Sequence, residues 1–554
     1  MPHHLTCSAH EGEPVTTPRP VSHPRGARRL AAPLIAGLAV LTLAGCAGGA
    51  AETSATPGAD VAQDIVFALK EDPTCIDPQQ SSVTTSLIVG RQLTDSLLDQ
   101  NPDTGEIVPW LASEWDVSDD LTSYTFTLRD GVTFSDGTPL TSDVVAANFD
   151  AIVALGASAS LANGYLAGYA GTEVASDTEF TVNFSNPNVQ FQQGATTISL
   201  GILSPETVAA PAETRCASVA GTGPFVLDSY VPNDSVKVVR RDGYDWASQL
   251  RQHEGEAYLS SVTFPIISEP SVRTGGLESG EYDVIQDVPY VDESRFSTGD
   301  YNLYAKANPG VPNSLVVNTT RGPLGDEAVR QAISKGLDRD QINVIAGSIS
   351  GQAPTSVLTS STPGYTDLGD VLAYDADGAK ALLEDDGWTL GSNGIYEKDG
   401  QPLTVTVTAF YAQDVLEAAQ IDLKKVGIDL QLKMVSSGDF FGAIASGDYD
   451  MLGAALTRTD PDALRTLLST ASKSRWGIVD DAELETLLQE QSQTADTAAR
   501  QELVDEIQQI VAERAYVIPT LETVQLHGSR AGVEGITFDS AARLHLYDTA
   551  VVSD

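Results

Sequence analysis

Cations, histidine and sulfur are all scarce in this chain of 554 residues. Thirty-two Lys and Arg stand against 76 Asp and Glu, a formal net charge of −44. A surface of that sign repels phosphate backbones and anionic head groups, so nucleic acid is excluded as a partner. Of seven histidines, His3, His4, His10 and His23 crowd the amino terminus, and His253, His527 and His545 are scattered without metal-ligand spacing. A histidine-based triad or a zinc site therefore has little to build on. There is no Gly-x-Ser-x-Gly elbow, no glycine-rich phosphate loop closing on Lys-Ser/Thr and no CxxC pair. Asp375-Ala376-Asp377-Gly378 faintly resembles a calcium loop but lacks the third ligand and the distal glutamate, and a helix-capping role explains it better. No catalytic residue, metal or cofactor is expected. Carboxylate pairs suited to glycoside hydrolysis are too easily found among so many acids to carry information.

The 42% apolar fraction describes a folded protein. Because single cores stop growing at roughly 250–300 residues, at least two lobes are expected. Arg25, Arg28 and Arg29 precede an uncharged stretch from Leu30 to Gly45, which suits an export signal and falls short of the ~20 residues that span a bilayer. It ends in Leu43-Ala44-Gly45-Cys46, which resembles a bacterial lipobox. That resemblance implies cleavage before Cys46, a diacylglycerol on its thiol, and a flexible tether over residues 46–60. The residues before Arg25 fit no export pattern and are compatible with an over-extended start. Beyond Cys46 only Cys75 and Cys216 remain, and in an exported chain such a pair suggests a disulfide.

The rest reads as mixed α/β. Ile65, Phe67 and Leu69, and later Tyr124, Phe126 and Leu128, alternate with polar or smaller residues as strands do. Asp136-Gly137 makes a turn, Thr141 is placed to cap a helix bearing Val145, Phe149 and Ile152, and Asp326 to cap one bearing Val329 and Ile333. From Leu403 to Val435 a strand, a helix closed by Gly427 and a second strand predict a parallel crossover.

Val108-Pro109-Trp110-Leu111-Ala112-Ser113-Glu114-Trp115, continued through Asp119 to Val144, resembles the signature of the family 5 extracellular solute-binding proteins of bacterial ABC importers. Gly221-Thr222-Gly223-Pro224-Phe225, Asp326 to Arg339, Tyr374 to Leu383 with Gly387-Trp388, Leu423 to Ile428 and Gly447 to Met451 follow in the family's order. The likeness implies a two-lobed periplasmic-binding-protein fold (type II, cluster C) with an extra inserted domain and a hinge between lobes. Mapped here, residues 61–95 with 215–307 and 527–554 form the first lobe, 96–214 the inserted domain and 308–526 the second lobe. The family also implies a monomeric, non-enzymatic receptor on the outer face of the cytoplasmic membrane, which captures a small solute by lobe closure and passes it to ABC permease subunits. A di- or oligopeptide is the first expectation for that solute, a nickel-chelate or opine-like molecule the second, and a secreted peptide or glycan hydrolase is the rival of a different class. For the pocket, Thr457-Arg458-Thr459-Asp460-Pro461-Asp462 is similar to the family's Asp-Pro-Asp segment. The resemblance makes Asp460, then Asp462, the candidate for a peptide ammonium group, with Arg458 and Thr459 as neighbours and Arg458 able to meet a carboxylate. Helix capping by either acid is the structural alternative.

Overall fold

The computed structural model describes residues 63–472 and 476–552. Cys46, the apolar stretch before it and the proposed tether lie outside the described residues. Seven strands form a first sheet in the spatial order Tyr301–Ala307, Val524–Arg530, Val284–Gln286, Asp64–Ala68, Ser261–Pro265, Ser235–Arg240 and Phe225–Val231. Asp64–Ala68 runs parallel to both of its neighbours. Ile65, Phe67 and Leu69 face one core and Ala68 faces another, the two-sided burial that a central parallel strand requires.

Five strands form a second sheet, ordered Asp429–Met434, Thr404–Ala409, Met451–Thr457, Gly310–Val317 and Val517–Leu521. The expected crossover is here: Thr404–Ala409 pairs in parallel with Asp429–Met434, the helix Gln413–Lys425 buries Leu416, Ala419 and Leu423, and Gly427 turns at φ +78°. Leu315, Val317 and Ile518 point to one side of this sheet, and Val316, Leu452 and Val517 to the other, where Ala463–Leu468, Ala482–Ser492 and Thr497–Glu513 cover them.

A third sheet, Ala112–Val117, Ser123–Leu128, Glu179–Phe184 and Tyr169–Val174, is antiparallel throughout. Phe126 and Phe180 stack across two of its strands at 5.3 Å. Its core is continuous with that of the first sheet.

The chain passes between the first and second sheets at 308–309 and again at 522–523, a few residues earlier than the expected start of the returning segment at 527. The two crossings run side by side: Asn308 N–H donates to Thr523 O at 2.9 Å, and Asn313 Nδ2 to Thr523 Oγ1 at 2.8 Å. Near the second crossing the buried Glu293 carboxylate, on the first-sheet side, accepts bonds from Ser348 Oγ and Ile349 N at 2.8 Å and from Ser350 N at 3.0 Å.

Local chemistry follows the sequence with one correction. Asp326 and Asp375 cap their helices through bonds to Ala328 N and Gly378 N. Thr141 occupies the capping position of Ser142–Leu155, but its side chain makes no capping bond. Among the described residues no helix is long and apolar enough to cross a membrane.

Cys75 and Cys216 form a disulfide of 1.99 Å across 141 residues, next to a fully buried Arg215–Asp77 ion pair at 2.7 Å. Closing so long a loop restricts the unfolded chain, so replacing both cysteines by serine is expected to cost about 2–5 kcal/mol. Thermal unfolding of the variant should show a lower midpoint, and an unchanged one would mean the bridge contributes nothing.

Candidate functional site

The strand Met451–Thr457 delivers the Arg458–Asp462 turn, and the helix Ala463–Leu468 follows. Pro461 has no amide hydrogen to extend the ladder. The first crossing lies directly against this turn: Arg458 N–H donates to Pro309 O at 3.1 Å. At Gly310, φ is +108° and a Cβ would sit 2.1 Å from Leu456 O, so only glycine fits there.

The structure brings the four expected residues together and divides them by role. The Asp460 carboxylate, 6% exposed, accepts two bonds from Arg500 of the helix Thr497–Glu513, at 2.6 and 3.0 Å, and one from Asp462 N–H at 2.8 Å. Burial works against its ionisation, yet the Arg500 charge and these bonds prevail and hold the carboxyl below its usual range. Asp462 is held in a fork by Arg465, Nε and Nη2 each at 2.7 Å, and receives Gln491 Nε2. It precedes its helix without making a capping bond. Both acids are thus neutralised within the second-sheet side of the molecule.

Arg458 and Thr459 instead reach across to the region of the third sheet. The Arg458 guanidinium lies 4.6 Å from the Tyr165 ring centroid and donates through Nη1 to Gln190 Oε1 at 2.8 Å. Thr459 Oγ1 accepts from Gln193 Nε2. Two glycines make this approach possible. A Cβ on Gly164 would fall 2.3 Å from Arg458 Nη2, and one on Gly194 would fall 2.8 Å from the Tyr165 side chain. Burial raises the Tyr165 hydroxyl above its usual value, with the Arg458 charge opposing the shift. Arg543, on the first-sheet side, donates its backbone N–H to Asp539 Oδ1 at 2.7 Å and its guanidinium to Thr84 Oγ1 at 3.4 Å. Burial lowers its guanidinium from the usual value.

Around Thr459 lie two clefts of about 320 and 330 Å³ that share Gln100, Gly105 and Pro363. The first is lined by Asp460, Arg500 and Gln193, the second by Lys306, Ser360 and Ser540. Their walls come from both sides of the crossings, and they suit a polar solute of modest size. Tyr165, Gln190, Gln193, Arg500 and Arg543 were not singled out from sequence. The one available signal was the scarcity of cations, which makes each buried arginine informative.

Residues 106–477 match the family model described as "Bacterial extracellular solute-binding proteins, family 5 Middle". The chain belongs to that family. It is 27% identical over 447 residues to the nickel-binding periplasmic protein of Escherichia coli (strain K12), covering 75% of this chain and 81% of that one. Among solved structures, NikA from Brucella suis in complex with Fe(III)-EDTA aligns at TM-score 0.76 and 24% identity, over 88% of this chain and 99% of its own. The dipeptide-binding protein of Pseudoalteromonas sp. SM9913 in complex with Met-Leu aligns at 0.72 and 22%, over 88% and 100%. The fold is the two-lobed periplasmic binding fold, and these relatives are binding proteins.

Breaking a buried pair strands its partner, so Asp460→Ala is expected to destabilise the protein by about 3–5 kcal/mol, while Asp460→Leu combined with Arg500→Met comes out near neutral. Urea titrations of the three proteins check this. Because the folded carboxyl titrates below the unfolded one, the contribution of Asp460 is complete above about pH 4 and is lost as pH falls through the folded value. If the single variant were as stable as the parent, the pair would have no structural role.

Proposed function

We propose that this chain is a receptor anchored by lipid at Cys46 on the outer face of the bacterial cytoplasmic membrane. It captures a small polar solute by closing its two lobes and hands it, unchanged, to the permease of an ABC importer. The observation that carries this reading is the cross-cleft engagement of Arg458 and Thr459 with Tyr165, Gln190 and Gln193, on a turn bonded to one of the two crossings. Side chains placed this way meet when the lobes are together and part when they swing about residues 308–309 and 522–523. A solute held between them favours the closed form by its differential affinity, and about 5.5 kcal/mol moves such an equilibrium from 1:99 to 99:1.

The lobes we assign are residues 61–95, 215–307 and 523–554 for the first and 308–522 for the second, with 96–214 inserted. A di- or oligopeptide is the first candidate solute, supported by the dipeptide-binding relative of like fold. A metal chelate or opine-like solute is the second, supported by the nickel-binding relative and by the Fe(III)-EDTA complex. Arg500 already pairs with the Asp460 carboxylate through two bonds, which lessens its need for a peptide ammonium group and weighs toward the second.

Mass spectrometry of solute released by denaturing the purified protein is expected to show an intact small molecule. Adding that molecule back should raise the melting temperature and reduce the radius of gyration in small-angle scattering. Consumption of the solute would make the protein a hydrolase instead. Globomycin treatment or Cys46→Ala should release the protein from membranes, and persistence there would remove the lipid anchor from this picture.

A further inference from the structure

We propose that Glu293 and the loop Ser348–Ser350 form a latch, behind the crossings, that holds the two lobes in the closed form. The inference rests on the receptor reading and adds the group that sets how readily the receptor shuts.

Glu293 opens the short helix Glu293–Phe296 of the first lobe. It is fully buried, and every hydrogen bond its carboxylate accepts comes from the second lobe: from Ser348 Oγ and Ile349 N–H at 2.8 Å, from Ser350 N–H at 3.0 Å, and from Ser350 Oγ. The helix Arg339–Ala346 stops at Gly347, which frees the Ile349 and Ser350 amides from helical pairing. The nearest cation along the chain, Arg295, pairs instead with Glu278 and Asp292. Other buried acids are served from their own side. Asp460 has Arg500, Asp462 has Arg465, Asp539 has Arg91 and Asp77 has Arg215, so those carboxylates stay paired whether the lobes are together or apart. Glu293 is satisfied only when they are together. A buried carboxylate without donors is costly, so parting the lobes means giving it over to water.

Position gives the latch its leverage, because Glu293 and the clefts lie on opposite faces of the first sheet. Along Tyr301–Ala307, Lys306 shares a face with Tyr304, which packs on the core common to the first and third sheets, and Lys306 Nζ reaches Pro102 O and Asp103 at the cleft. Phe296, on the Glu293 helix, packs with Val288, Val524 and Leu526 in the separate core of the other face. One segment of the second lobe joins the two places. Its Ser348–Ser350 end meets Glu293, and Gly351 lies against Val524, whose side chain a Cβ there would approach to 2.9 Å. Ser360 then bonds to the Glu522 carboxylate through N–H at 3.0 Å and Oγ at 2.9 Å, Ser361 Oγ donates to Ala307 O at 3.4 Å, and Ser360, Ser361 and Pro363 line a cleft. The segment therefore passes both crossings on its way from the latch to the solute. A swing that parts Arg458 and Thr459 from Gln190 and Gln193 also moves Ser348–Ser350 against Glu293.

The test compares three proteins by small-angle scattering without added solute: the parent, E293Q, and E293C/S350C bridged by a short bismaleimide. The bridged protein is expected to be the most compact and E293Q the most extended, its open-to-closed ratio raised at least about tenfold, the size of one charged hydrogen bond. S348A/S350A, which removes two donors and no charge, is expected to shift the same way and carries the test should E293Q fail to fold. In the protein as purified, Q193A on the opposite face should quicken amide exchange in the peptide containing Ile349 and Ser350 by about fivefold, the size of one neutral hydrogen bond. Equal radii for the bridged protein and the latch variants overturn the proposal, and so does exchange at Ile349 and Ser350 that ignores Q193A. A tie that is structural alone would lower the melting temperature of E293Q and leave its radius that of the bridged protein. A protein that shuts equally well with and without the latch on the solute recovered from it sinks this inference and leaves the receptor standing, whereas one that never changes shape, with that recovered solute included, sinks both.

Discussion

The architecture depends on one constraint: the two large sheets do not share a core. Each hydrophobic cluster among the described residues belongs wholly to the first and third sheets or wholly to the second. What lies between is therefore polar, and the covalent links across it are two adjacent crossings. Apolar burial is non-directional and would weld the lobes together, whereas hydrogen bonds and ion pairs across a wet gap can be exchanged for water at small net cost. The third sheet, held together by the ring cluster of Phe126, Phe149 and Phe191, shares one continuous core with the first and so extends that lobe.

Within the gap the chain uses its few cations selectively. Arg500 and Arg465 hold Asp460 and Asp462, fixing the turn that presents Arg458 and Thr459. Asp460 and Asp462, the acids that the sequence offers to a ligand's ammonium group, are each paired with an arginine of their own side, and Arg458 beside them reaches across to Tyr165. Gly310 ties this turn to the first crossing through the bond from Arg458 N to Pro309 O. The backbone of the crossing and the root of the Arg458 side chain are thus held to each other by one bond.

Much of the fold could be read in the sequence because it is written in short-range periodicity. Ile65, Phe67 and Leu69 alternate because a strand does, and the unit from Leu403 to Val435 declares its two strands and helix within a few turns of chain. Thr141 shows the limit of that reading, since position alone does not bring a hydroxyl within reach of an amide. The crossings left no compositional mark because both lobes are built from the same mixed α/β material. In the site, the turn from Thr457 to Asp462 was found by its motif, and the Asp462–Arg465 spacing was open to inspection. Arg500 and Tyr165 come from other elements, and no local pattern announces that folding will bring them to one place.

The close-approach glycines also bear on what the chain tolerates. At Gly164 and Gly194 any side chain would displace Arg458 or the Tyr165 ring, so the meeting of the two walls depends on residues that contribute no polar group of their own.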